Sequence, residues 1–156
     1  MGKYGRITPA QARLNLSALD VMTGKADELK LPQKRTQNEA KIQKAIFDWR
    51  NLHIGKYPEL KLLMAIPNGG KRDAIEGYNL KRQGVLAGAS DIHLPVPRGR
   101  YASLWIELKA GNNKPTEQQQ SFMDEANQHG NFACVAYGFD EAVNIIEWYL
   151  KGAVDI

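Results

Sequence analysis

The sequence predicts an α/β fold in which a mixed sheet of about four strands is flanked by helices. Helical and strand-like hydrophobic patterns alternate along the chain in the order helix, strand, helix, strand, strand, helix, strand, helix, with no repeat. The 156 residues, of which 43% are hydrophobic and 24% charged, are enough to bury the core of one compact domain. We expect residues 36–156 to form this domain.

Residues 1–35 are predicted to be a separate basic arm. They carry seven Lys or Arg against three acidic residues, and a short helix is expected from Pro9 to about Met22. A basic segment fits contact with a phosphate backbone, but it is equally typical of an ordinary solvated surface. The sequence leaves both interpretations open.

The first half of the domain begins with an amphipathic helix from about Thr36. Its apolar residues recur at helical spacing from Ala40 to Leu52, and Gly55 follows as a stop. A buried strand is expected from Leu60 to Ile66. A turn-rich loop at 67–70 then leads to a helix from Arg72 to Gln83, which ends at Gly84.

The second half begins with a hairpin and ends with a helix, a strand and a further helix. The hairpin strands are Asp91–Val96 and Tyr101–Leu108, joined by a turn at 97–100. Thr116 to Gln119 have the form of a capping box, which predicts a helix from there to Gly130. A strand at Phe132–Tyr137 and a helix at Asp140–Leu150 complete the pattern.

The tripeptide Glu-Leu-Lys occurs three times, beginning at Glu28, Glu59 and Glu107. By itself it therefore identifies nothing. Residues two apart in a strand point to the same face, so Glu107 and Lys109 would project together while Ile106 and Leu108 enter the core. Only the third copy ends a clear strand, so we take it as the candidate site.

A hairpin centred on Gly99 places Asp91 opposite Glu107 and His93 opposite Trp105. Two carboxylates about 4 Å apart would repel by roughly 4 kcal/mol at an effective dielectric of 20. A hard divalent cation such as Mg²⁺ or Mn²⁺ would relieve that repulsion. The alternative is a surface hairpin in which Glu107 pairs with Lys109 or Lys114, and the residues alone leave it open.

In order and spacing, these residues resemble the VRR-NUC nucleases of the PD-(D/E)xK phosphodiesterase superfamily, whose core is restriction-endonuclease-like. The resemblance covers about Gln37 to Leu150. It rests on five segments: Asn38 to Gln43, Ile66 to Gly70, Gln83 to Ile92, Ile106 to Lys109, and Thr116 to Gln119 with Phe122. One departure is Ser90 before Asp91, where the superfamily usually has proline.

The resemblance implies a role for each matching residue. Asp91 and Glu107 would bind the metal together with the backbone carbonyl of Leu108, and Lys109 would position the attacking water or stabilise developing charge. Glu39 would complete the acidic cluster through a metal-bound water, although an acid in the first turn of a helix also stabilises that helix. Gln119 would orient Lys109 or a phosphate, or act only in the capping box.

Further polar residues are candidate phosphate contacts because they surround a Gly-rich loop that precedes a helix. An ordinary solvated surface is the alternative for each of them. His93 has the spacing to touch a metal near Asp91, but a sheet histidine packed against Trp105 explains it more simply. The phosphate-contact candidates are Asn68, Lys71, Arg72, Lys81 and Arg82.

The predicted function is a Mg²⁺- or Mn²⁺-dependent DNA endonuclease, and the resemblance suggests branched or flapped substrates and a homodimer. Two rivals remain: a non-catalytic nucleic-acid-binding module on the same fold, and a restriction-like nuclease with sequence preference. Without a long apolar stretch or a signal-peptide pattern, we expect a cytoplasmic protein. The single cysteine, Cys134, is expected to be a small buried residue.

Overall fold

The structure, a computed structural model, describes residues 39–67 and 74–153. The predicted basic arm of residues 1–35 lies outside the described residues, as do Asn68, Lys71 and Arg72. Among the described helices, none is both long and apolar enough to cross a membrane.

A four-stranded mixed sheet with flanking helices confirms the predicted α/β fold class. The strands are β1 (Met64–Ala65), β2 (Ile92–Leu94), β3 (Leu104–Lys109) and β4 (Phe132–Tyr137), in the spatial order β1-β2-β3-β4. β2 is antiparallel to both β1 and β3, whereas β4 is parallel to β3. The helices are α1 (Glu39–His53), α2 (Ala74–Arg82), α3 (Glu117–Gln128) and α4 (Phe139–Leu150).

The core lies between one face of the sheet and the helices α1 and α4. Even-numbered side chains of β3, such as Ile106 and Leu108, pack there with Ile42 and Ile46 of α1. Two residues of the predicted apolar face of α1, Ala40 and Leu52, are exposed, Leu52 to 83%. Cys134 is buried in this core, and burial raises the pKa of its thiol far above the usual range, as expected of an inert residue.

The predicted buried strand from Leu60 to Ile66 is wrong in its first part. Pro58–Leu62 is a 3-10 helix, and only Met64 and Ala65 pair with β2, both of them exposed. Pro58 at the start presets a helical φ, and a turn of 3-10 helix suffices to bury Leu60 and Leu63. A short apolar run is consistent with either structure, and here the proline decides.

α3 packs on the opposite face of the sheet from α1, along β4. The Asn127 side chain donates to the carbonyl of Ala133 at 2.9 Å and accepts from the Ala133 N–H at 2.9 Å. This amide replaces a neighbouring strand at the outer edge of β4 and so protects that edge from pairing with another chain. It also fixes α3 beside the second face of the sheet, where Glu107 lies.

Candidate active site

The β2–β3 register places Asp91 beside Glu107, as predicted. Ile92 pairs with Ile106, His93 with Trp105 and Leu94 with Leu104, so the next position in this register sets Asp91 against Glu107. The backbone of Asp91 also continues the sheet, since its carbonyl accepts from the N–H of Ile66 at 2.8 Å.

The turn that sets this register is tighter than the sequence indicated. Arg98 and Tyr101 exchange two backbone hydrogen bonds, of 3.0 and 2.9 Å, which leaves only Gly99 and Arg100 in the turn. Gly99 has a positive φ of 53°, as the first central residue of a type II′ turn requires. One extra residue in the segment 95–97 restores the predicted pairing, because without it Asp91 would lie opposite Leu108, on the other face.

Asp91 is fixed by the backbone of β3. Its Oδ2 accepts a hydrogen bond of 2.8 Å from the N–H of Leu108. In a strand, the N–H and C=O of one residue point to the same side, so the Leu108 carbonyl also lies on the Asp91 side of β3. A carboxylate oxygen of Asp91 and the Leu108 carbonyl oxygen thus lie on the same side of β3, and the ligation of a metal by both stays a prediction.

Glu107 and Lys109 form a buried ion pair on the same face as Asp91. Lys109 Nζ donates to Glu107 Oε1 at 2.8 Å, and the side chains are 7% and 1% exposed respectively. Glu107 Oε2 is buried and has no hydrogen-bond partner among the described residues. A buried carboxylate oxygen without a donor is costly unless a proton or a cation satisfies it.

Burial of this site raises the pKa values of both acids. Burial, with the charges of Asp91 and Glu39, raises the pKa of Glu107 to about 7, against the opposing effect of Lys109. Burial also raises the pKa of Asp91, although the Leu108 N–H and Lys109 oppose the shift. Burial lowers the pKa of Lys109, but Glu107, Glu39 and Asp91 together raise it above its ordinary value.

Glu39 is the first residue of α1 and is close enough to act electrostatically on all three groups. However, within the two described ranges no group of three or more His, Cys, Asp or Glu side chains is arranged to hold a metal ion. Direct ligation by Glu39 together with Asp91 and Glu107 is therefore not preformed. A contact through a metal-bound water remains a prediction.

Gln119 occupies the predicted capping box at the start of α3. Its Oε1 accepts from the Thr116 N–H at 2.9 Å, and its own N–H donates to Thr116 Oγ1 at 3.2 Å. The side-chain NH₂ group of Gln119 remains as a donor. The loop before Asp91 packs on the same turn of α3, where a Cβ on Gly88 would lie 2.6 Å from the Gln118 carbonyl oxygen.

The predicted phosphate contacts are described only in part. Lys81 and Arg82 are exposed in the last turn of α2, and the Arg82 guanidinium lies 5.9 Å from the centre of the Tyr78 ring. Asn68, Lys71 and Arg72 lie outside the described residues. The role of all five stays a prediction.

Two features of the site were not foreseen. Tyr137 of β4 is the partner of Lys109 in the parallel register and is 39% exposed. The pairing of β3 with β4 across an intervening helix leaves no local sequence signal that could have indicated this neighbour. The hydroxyl of Ser90, the residue that departs from the superfamily pattern before Asp91, is buried and has no hydrogen-bond partner among the described residues.

The sequence matches no protein-family model and no curated protein. A solved structure titled "VRR_NUC domain protein" is similar to this chain with a TM-score of 0.65 and 28% sequence identity. The similarity covers 76% of this chain and 92% of that chain. The similarity agrees with the restriction-endonuclease-like core that the sequence resemblance implied.

Proposed function

We propose, from the premise that this chain carries a VRR-NUC domain, that it is a divalent-metal-dependent nuclease that hydrolyses phosphodiester bonds of DNA. The observation that carries the proposal is the buried Oε2 of Glu107, which lies beside Asp91 and has no hydrogen-bond partner among the described residues. An ordinary surface ion pair would be solvated and worth about 0 to 1 kcal/mol. Here the Glu107 carboxylate is 1% exposed, and among the described residues only one of its two oxygens has a hydrogen-bond partner. This arrangement favours a site built for a cation.

The donor set fits Mg²⁺ or Mn²⁺. These ions bind hard oxygen ligands and commonly take only one or two carboxylates, keeping positions for water and phosphate. Asp91, Glu107 and the Leu108 carbonyl would hold the ion, and Glu39 would contribute through a water. When bound, the metal supplies a Lewis acid for the phosphate and a lowered pKa for the attacking water.

The protein contributes orientation and fixed charge to the reaction. The Leu108 N–H holds Asp91, so that its carboxylate does not have to reorganise when the substrate arrives. Glu107 holds the Lys109 ammonium at 2.8 Å, where it can orient the attacking water and stabilise the charge that develops on the phosphate. The NH₂ group of Gln119 would orient Lys109 or donate to a phosphate oxygen.

The substrate we propose is branched or flapped DNA cut by a homodimer, as the resemblance suggests. Two exposed cations at the end of α2, Lys81 and Arg82, provide charge for backbone contact, and Asn68, Lys71 and Arg72 would extend it. Phosphate contacts position a nucleic acid but do not read its sequence. A cut set by the shape of the DNA rather than its sequence is therefore the expectation.

The decisive experiment compares branched and linear duplex DNA with Mg²⁺, with Mn²⁺ and with EDTA. We expect metal-dependent cleavage that follows the branch, and an Asp91→Asn variant that folds normally but cuts at least about a hundredfold more slowly, since a metal ligand is lost. Glu59→Gln, in the Glu-Leu-Lys copy outside the site, is the control and should cut like wild type.

Three other outcomes would contradict the proposal. Fixed cut sites on linear duplex would favour a restriction-like nuclease. Binding of DNA without cleavage under any metal would favour a non-catalytic nucleic-acid-binding module. Cleavage that Asp91→Asn does not slow would overturn the assignment of the site.

A further inference from the structure

A stacked His–Trp pair lies directly beside the two site carboxylates on the same face of the sheet. His93 and Trp105 are the cross-strand pair adjacent to Asp91 and Glu107 on this face. Their rings are 3.7 Å apart between centroids and nearly parallel, at 11°. Two residues of strand separate neighbouring pairs on one face, so His93 lies about 6.8 Å along β2 from Asp91.

The His93 ring is held by stacking but not by hydrogen bonds. No described residue is hydrogen-bonded to its two ring nitrogens, and the His93 side chain is only half-buried. A second His–Trp stack shows the contrast: His53 lies 4.6 Å from Trp49, and its Nδ1 is bonded to the Trp49 carbonyl at 2.8 Å. The His53 ring is thus held by a hydrogen bond as well as by stacking, whereas among the described residues the His93 ring is held by stacking alone.

This part of the face is accessible. On this face α3 covers the part that lies toward β4, where Phe122 packs edge-on against Trp105 at 5.1 Å between ring centroids. Toward β1, His93 is only half-buried, and its partner on β1, Met64, is 41% exposed. A nucleotide chain whose scissile phosphate lies at Asp91 and Glu107 can therefore continue over His93.

We propose that His93 binds the nucleotide next to the scissile phosphate, its imidazole N–H donating to a phosphate oxygen while the Trp105 stack fixes the ring. The inference rests on the proposed nuclease function and adds a substrate-binding residue to it. An imidazole carries at least one N–H donor in either protonation state, so the contact does not depend on titration. Side-chain donors to phosphate oxygens position the backbone of nucleic acids.

The experiment compares His93→Phe with His53→Phe, the same substitution in a second His–Trp stack. Phenylalanine keeps an aromatic ring against Trp105 but has no N–H donor. We expect His93→Phe to weaken binding about tenfold, the size of a lost hydrogen bond to a charged acceptor. The readouts are fluorescence anisotropy of labelled DNA with Ca²⁺, and KM and kcat with Mg²⁺, where KM should rise and kcat stay within about twofold of wild type.

A second variant and two controls keep the test decisive. His93→Gln retains an NH₂ donor and should recover most of the binding, whereas a purely structural histidine would be served better by phenylalanine. His53→Phe should bind like wild type. Thermal stabilisation by Mn²⁺ should not change in His93→Phe; if it falls, His93 acts on the metal and the inference is overturned.

The inference and the proposed function fail in different ways. Wild-type protein that binds DNA but never cuts overturns the nuclease function and leaves the anisotropy comparison intact. Protein that cuts, with His93→Phe binding and cutting within twofold of wild type, overturns the inference alone. Equal loss of binding in His53→Phe also overturns it, because the effect would then belong to any such stack.

Discussion

The tripeptide Glu-Leu-Lys occurs twice among the described residues, and the two copies have opposite environments. Glu59 and Lys61 belong to the 3-10 helix, where Glu59 pairs with Arg98 and is 33% exposed and Lys61 is open to solvent. Glu107 and Lys109 belong to β3, where they pair with each other and are 1% and 7% exposed. Identical residues thus make a surface contact in one place and a candidate active site in the other.

The difference follows from backbone geometry. A 3-10 helix has three residues per turn, so positions two apart point in different directions, whereas in a strand they share a face. β3 is also covered on both faces, which removes water from the carboxylate and raises the pKa of Glu107 to about 7. The tripeptide gains its chemistry from the strand and from its burial.

The largest expected difference is in activity. Lys109→Ala should reduce the rate of cleavage by about a hundredfold or more, because a preorganised charge beside the reacting phosphate is lost. Lys61→Ala removes the same residue type from the exposed copy and should leave the rate within twofold. Single-turnover kinetics on both variants measures the two cleavage rates. Equal losses of rate would contradict the assignment of the active site to Glu107 and Lys109.

The next largest expected difference between the two Glu-Leu-Lys copies is in how the free energy of unfolding depends on pH. For Glu107 the pKa rises from its ordinary value of 4.5 to about 7 on folding, so the folded state holds its proton more tightly. The stabilisation from that proton is complete below about pH 4.5 and is lost as the pH rises through 7, a change on the order of 3 kcal/mol. Asp91 shifts in the same direction.

Denaturant unfolding of metal-free protein between pH 5 and 8 tests this sign. We expect the free energy of unfolding to fall with rising pH in wild type and the fall to be shallower in Glu107→Gln, which has no proton to lose. Glu59→Gln should follow the wild-type curve. A wild-type stability that rises over this range would contradict the buried environment assigned to Glu107.

Metal binding gives an effect of similar or smaller size. If Mn²⁺ binds the folded protein only, a concentration of a hundred times its Kd stabilises by about 2.7 kcal/mol. We expect a clear rise in Tm with Mn²⁺ for wild type and for Glu59→Gln, and little or none for Glu107→Gln. A Glu107→Gln protein stabilised as much as wild type would place the metal elsewhere.

Much of the site was predictable because it depends on local periodicity. Alternation in β3 put Glu107 and Lys109 on one face, and a turn near Gly99 put Asp91 across from Glu107. The predicted register of β2 and β3 is nevertheless correct, because two features of the hairpin compensate for each other. The turn is tighter than predicted, and the segment 95–97 holds one extra residue. Sequence patterns place strands well but do not count such insertions.

Other features depend on contacts between distant segments and could not be predicted. The place of Tyr137 beside Lys109 requires the parallel β3–β4 pairing, and the short β1 depends on how Leu60 and Leu63 reach the core. Both are decided by tertiary packing, which a local apolar pattern does not encode. The unpartnered oxygen of Glu107 is likewise visible only once burial is known.

The smallest expected effect concerns the exposed copy itself. Glu59 links the 3-10 helix to Arg98, which begins the tight turn of the β2–β3 hairpin. Because both side chains are partly exposed, Glu59→Gln should destabilise by less than about 1 kcal/mol in a denaturant titration. The register of the hairpin is fixed by backbone pairing and by the buried side chains of β2, so cleavage should be unchanged. A large loss of activity in a stable Glu59→Gln protein would mean that this surface pair positions Asp91, and the two copies would then act as one site.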